Sequence, residues 1–126
     1  MKKAFVGLAL GFFLLVSSAR AQDKNLVQTS TLSDRCADFE RVSANDLHPL
    51  SALEAIGFGN CLGYFEGLIE GLAVSKYTIV PGATLSPVAA ELAFRLYVNQ
   101  HPEKLHQDAI STVLAALLNA HLIEKQ

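Results

Sequence analysis

The sequence has no cluster of lysine and arginine beyond Lys2-Lys3, no serine in a nucleophile-elbow setting and only two cysteines. Each lack removes a class of function. Nucleic-acid binding needs basic residues gathered on one face, so it is not expected. The run Gly57-Phe58-Gly59-Asn60-Cys61-Leu62-Gly63 is not a dinucleotide loop, because its third glycine comes one residue late and no strand precedes it. His48, His101, His106 and His121 are scattered, and the five-residue step from His101 to His106 does not bring two imidazoles onto one helix face. A metal bound through the cysteines would need two more ligands, and only His48 lies between them, so no metal and no cofactor are expected. Glu66 and Glu70 stand one helical turn apart and read as a solvated face rather than a catalytic pair. An enzyme is therefore not expected. There is also no internal repeat, no low-complexity tract and no stretch of strict apolar–polar alternation bounded by turn signals.

What is present begins with Met1 to Ala21. Lys2 and Lys3 are followed by 13 uninterrupted apolar or glycine residues, Ala4 to Val16, and then by the small-x-small site Ala19-Arg20-Ala21. That order reads as a cleavable secretory signal. The alternative, a membrane anchor, needs roughly 20 apolar residues. No cysteine follows the cleavage site to take a lipid, and no second apolar run is long enough to span a bilayer. The expected mature chain is a single domain over 22–126, located in the periplasm and free of the membrane. Lys2, Lys3 and Arg20 leave with the signal, so seven basic residues face twelve acidic ones and the formal charge becomes −5. An acidic surface suits a basic protein partner.

Cys36 and Cys61 both remain after cleavage. An even count in an exported chain favours a disulfide over reactive thiols. Helices account for the rest. A short helix is expected from a cap at Ser33 or Asp34 through Val42, with Cys36 in its first turn and the polar stretch 22–33 loose before it. Asn45 to Pro49 reads as a turn. The longest helical pattern runs from about Ser51 to Ser75. Lys76 to Thr84 is a break marked by Pro81 and Gly82. A third helix starts near Thr84 or Ser86, with Pro87 in its first turn, and stops at His101-Pro102. Pro102 opens a fourth helix to about His121, with Ile110, Val113, Leu114, Leu117 and Leu118 as its apolar stripe. The expected fold class is all-α: a small bundle of three long helices and one short N-terminal helix, held by one disulfide.

Gly59, Gly63, Gly67, Gly71 and Ser75 recur at strict spacing of four. Such a row turns one ridge of a helix into a groove. Four glycines cost about 4 kcal/mol against alanine in a helix interior. The spacing predicts another backbone packed closely against the row, from this chain or from a second copy, unless the helix is locally irregular.

Three segments carry a resemblance. Cys61-Leu62-Gly63-Tyr64-Phe65-Glu66-Gly67 is similar to a C-x-G-Y-x-x-G signature. Val80-Pro81-Gly82-Ala83-Thr84 is similar to a Pro-(Glu)-Gly-x-Thr segment that precedes a helix. Tyr97 through His101, Pro102, Glu103 and His106 resembles a Y-L-x-x-H-P-E-x-x-H stretch, with Val98 in place of Leu, and an Ala- and Leu-rich helix comes after it. In this order, across about Cys36 to His121, the chain resembles the Rap/Tai immunity proteins of type VI secretion systems. Two cysteines of that pattern are missing together, at Ile79 or Val80 and around Ala120-His121-Leu122, as for one dispensable bridge; Cys36–Cys61 would be the other. The resemblance implies a dimeric periplasmic protein that binds a secreted peptidoglycan amidase and fills its cleft. It also implies that a protruding loop does the filling, which suits Lys76, Tyr77, Thr78, Ile79, Val80, Pro81 and Gly82. The alternative for that loop is that Ile79 and Val80 cap the monomer's own core. The alternative for the whole chain is a periplasmic acid-stress chaperone of the Hde type.

Overall fold

The computed structural model describes residues 26–43 and 48–126. The signal segment 1–21, the polar residues 22–25 and most of the predicted turn at 45–49 lie outside the described residues. In order, the elements are α1 (Thr29–Arg35), α2 (Phe39–Ser43), α3 (Ala52–Leu72), β1 (Tyr77–Ile79), α4 (Pro87–Gln100), a 3₁₀ turn (Pro102–His106), α5 (Ala109–Asn119) and β2 (Ile123–Lys125). The fold is mostly helical, with a single disulfide, but it is not all-α.

Helix starts follow the sequence closely. Ser51 and Glu54 form a reciprocal capping box: the Glu54 amide donates to Ser51 Oγ (3.3 Å) and the Ser51 amide donates to Glu54 Oε2 (2.7 Å). The same carboxylate meets Arg41 Nη2 at 2.6 Å and so links α2 to α3. Ser86 caps α4 through the Ala89 amide (3.1 Å), with Pro87 at the first helical position.

Three expectations need correction. The first helix does not begin at Ser33 or Asp34. Thr29 and Leu32 are buried, so the helix starts at Thr29, and Cys36 is its C-cap rather than part of a first turn. The expected fourth helix is divided, so the last of the three expected long helices is reduced to the 11 residues of α5. Gln107 is extended (φ −89°, ψ 168°) because it and Asp108 bridge to the N-terminal segment: the Thr29 amide donates to the Gln107 carbonyl (2.9 Å) and the Ala109 amide to the Val27 carbonyl (2.8 Å). Helix α5 then starts afresh from Asp108, whose carboxylate accepts from the Ser111 amide at 2.8 Å. Finally, two three-residue strands form an antiparallel pair, Tyr77 opposite Lys125, Thr78 opposite Glu124 and Ile79 opposite Ile123.

That pair exists because α5 ends earlier than the sequence suggests. His121 adopts a left-handed conformation (φ 54°). Its amide donates to the Leu118 carbonyl, and the Leu122 amide donates to the Leu117 carbonyl (2.9 Å). This is a Schellman closure with histidine where glycine is usual. The chain reverses there and Ile123 enters the core, 2% exposed.

The core lies where α1, α3, α4 and α5 meet. Phe65 and Phe94 face each other at 6.0 Å between ring centroids, and Phe39 stacks on Phe58 at 5.2 Å. Val113, Ala116 and Leu117 close it from α5. Cys36 and Cys61, both buried, are bonded (S–S 2.05 Å), tying the end of α1 to the middle of α3.

Candidate interaction surface

Helix α3 buries Cys61, Phe65 and Leu72 on one side. Gly59, Gly63, Gly67 and Gly71 lie on the exposed side. A Cβ added at any of the four would have nothing within 4 Å. The expectation that another part of this chain packs into the row is therefore not met among the described residues. The row stays open within the monomer because α3 packs against α1 and α4 through its buried side.

Beside the row, α3 and α5 enclose a groove of about 360 Å³. Tyr64, Gly67, Leu68, Gly71 and Leu72 of α3 and Ile110 and Leu114 of α5 line it, together with Ser75 and Tyr77. Its surface is almost wholly carbon. Ile110 belonged to the expected core stripe, but α5 buries Ala109, Thr112, Val113, Ala116 and Leu117 instead, leaving Ile110 47% exposed. Glu66 and Glu70 are exposed on the flank of the glycine row away from α5.

Tyr64 is one of three hydroxyl-bearing residues of the groove, with Ser75 and Tyr77. Its hydroxyl is buried and finds no hydrogen-bond partner among the described residues. Burial, with a smaller contribution from the Asp108 carboxylate, pushes the phenol up to about 12. Asp108 itself is held below the usual carboxylate range, chiefly by the hydrogen bond from the Ser111 amide.

No family model, curated protein or solved structure matches the chain. The surface is thus read from its own residues. Of the three segments that carry the resemblance, Cys61, Gly63, Tyr64 and Gly67 share α3, with Cys61 in the bridge and Tyr64 and Gly67 at the groove. Gly82 has φ +84°, which glycine adopts without strain, in the turn after β1. His101 and Pro102 form the junction between α4 and the 3₁₀ turn, where His101 lies against the Tyr97 ring (4.4 Å) and 3.3 Å from Glu103.

The segment Lys76 to Gly82 is split in role. Tyr77 is half-buried, packs against the core and lines both the groove and a second hollow of about 310 Å³ next to β1. Ile79 is 41% exposed, and Val80 is half-buried with its amide on the Leu122 carbonyl (3.1 Å). Lys76 is exposed, its ammonium 5.7 Å from the Tyr77 ring centroid. Tyr77 thus packs on the core, while Lys76 and Ile79 stand exposed.

Two features escaped the sequence reading. Glu91 is 3% exposed and lies 3.3 Å from Arg95 Nε one turn on, although its spacing looks like that of any surface ion pair. The groove itself needed the rotational setting of α5, which its apolar spacing alone left open by one residue. Among the described residues, no group of three or more His, Cys, Asp or Glu side chains is placed to hold a metal ion.

Proposed function

We propose that this protein is an exported immunity-type inhibitor, which binds a peptidoglycan amidase delivered by type VI secretion and blocks its cleft in the periplasm. The observation that carries the reading is where the resembling residues sit. Cys61 is in the bridge, Gly82 is at a positive φ, and His101-Pro102 closes one helix and opens a 3₁₀ turn. Each of these positions uses a property particular to its residue type, so the resemblance runs through the framework rather than through interchangeable surface residues. The buried disulfide is compatible with an oxidising compartment. An inhibitor of this kind works by shape and needs no chemistry of its own. The contact is assigned to Lys76 to Gly82, through the exposed Lys76 just before β1 and the exposed Ile79 within it, in a homodimer.

The test is an assay of peptidoglycan cleavage by an amidase effector encoded beside this protein. Stoichiometric inhibition by the oxidised protein is expected, together with a stable complex on gel filtration. Undiminished cleavage with the inhibitor in excess, and no complex, would remove this function.

A further inference from the structure

We infer that the groove between α3 and α5 docks an amphipathic helix of a partner protein, one that presents an apolar file and, along one flank, basic residues a turn apart. The identity of that partner as the amidase effector rests on the inhibitor reading; the chemistry of the site does not.

Shape is the first argument. Gly59, Gly63, Gly67 and Gly71 repeat every four residues, and the space above each is empty to 4 Å. A groove along that row accepts the ridge that another helix forms with its own residues at spacing of four. From Tyr64 to Leu72 it extends about 12 Å at the helical rise of 1.5 Å per residue, or two turns of an incoming helix. Ile110 and Leu114 provide an apolar wall, and no charged residue lines the groove. Recognition by aliphatic anchors at such spacing is the ordinary mode of helix-in-groove binding.

Charge selects the occupant. Glu66 and Glu70 form the next i±4 ridge of α3 beside Gly63, Gly67 and Gly71, on the side away from Leu68 and Leu72, so two exposed carboxylates one turn apart flank the glycine row. A docked helix with lysine or arginine at the same spacing on that flank would meet both. A second copy of this chain brings no such pair: α3 and α5 contain no basic residue, and α4 contains only Arg95, which lies against Glu91. An anionic amphiphile would place its head beside the glutamates.

The probe is a synthetic helical peptide of about 20 residues, with a leucine/alanine file at spacing of four and flanking lysines one turn apart. Its control carries glutamates at the lysine positions. Fluorescence anisotropy against the oxidised protein should show the lysine peptide binding about tenfold or more tightly than the control. Gly67→Leu fills open space, so it should fold and weaken that binding by a similar factor; Glu66→Lys with Glu70→Lys should reverse the preference between peptides. Equal affinity for both peptides, or a Gly67→Leu variant that melts as the parent does and still binds as it does, overturns the proposal. So does a concentration-dependent dimer, found by sedimentation equilibrium, that Gly67→Leu dissociates, since the groove would then hold a second copy. Selective peptide binding beside an uninhibited amidase supports the groove and removes only the inhibitor reading.

Discussion

The Thr29 hydroxyl donates to the Thr112 hydroxyl over 2.9 Å, joining two buried side chains 83 residues apart. Thr112 in turn donates to the Asp108 carbonyl (3.2 Å), and Thr29 Oγ1 also lies 3.0 Å from the Gln107 carbonyl. With the backbone bonds from Thr29 to Gln107 and from Ala109 to Val27, this fixes the first described residues onto the start of α5.

Thr29→Val keeps the shape and removes the donor. It should lower unfolding free energy by about 1 kcal/mol, the usual net value of such a bond. Thr112→Val should cost a similar amount, and the double variant less than the sum, because the two share one bond. Urea denaturation of the four proteins checks this. Additive losses would mean the hydroxyls act independently.

The Cys36–Cys61 bridge closes a separation of 25 residues. Cys61→Ala should destabilise by about 3 kcal/mol on the chain-entropy account, with some further loss from the small cavity left at a buried site. Because both cysteines are buried, a mild reductant should leave the native protein bridged and open it only where the fold is loosened by denaturant. Peptide mapping after reductant treatment, with and without urea, distinguishes the two.

Much of the framework could be read from residues whose physics is local. Ser51, Ser86-Pro87 and His101-Pro102 mark helix ends through their own side chains or rings, and the cysteine count points to the bridge. What could not be read depends on partners far along the chain. Helix α5 starts afresh at Asp108 because Gln28 bridges to Asp108 and the Thr29 amide donates to the Gln107 carbonyl. Three-residue strands give no periodic signal, and β2 forms only because His121 takes a left-handed turn that its residue type disfavours. At the candidate surface, the glycine spacing was legible and its openness was not. That followed from α3 packing on α1 and α4 through its other side. Tyr77 drew attention as an exposed-looking aromatic in a break, but pairing with Lys125 lays it against the core.

Gly67 gives a stability prediction with a definite sign. The Cβ of Gly67→Ala would meet nothing within 4 Å, so the substitution should remove glycine's helix penalty and raise stability by up to about 1 kcal/mol. Thermal denaturation of the monomer reads it out. A loss instead of a gain would mean that the row is occupied in solution.

Tyr64 should titrate late and couple to stability at alkaline pH. Its phenol is raised to about 12 in the fold against 10.0 ordinarily. The unfolded chain therefore releases this proton first as pH rises, and the stabilisation held below pH 10 should fall away up to about 12. Absorbance at the tyrosinate band should show one late phenol, absent in Tyr64→Phe. That variant should lose this part of the alkaline dependence and be no less stable at neutral pH, because the hydroxyl removed is buried without a partner.

The segment 76–82 separates fold from contact by its two neighbours, Lys76 and Tyr77. Tyr77→Ala removes a half-buried ring that packs on the core, so it should lower the melting temperature and cost about 2 kcal/mol or more. A binding defect in that variant would not be informative. Lys76→Glu and Ile79→Asp change exposed side chains just before and within β1, and surface changes of this sort usually stay within about 0.5 kcal/mol. On the inhibitor reading, both should weaken the complex with the amidase while their melting curves follow the parent's. Calorimetric titration alongside thermal denaturation checks the pair. If Lys76→Glu and Ile79→Asp bind and protect as the parent does, β1 and its turn serve only the fold, and the groove beside the glycine row that Glu66 and Glu70 flank becomes the contact to test.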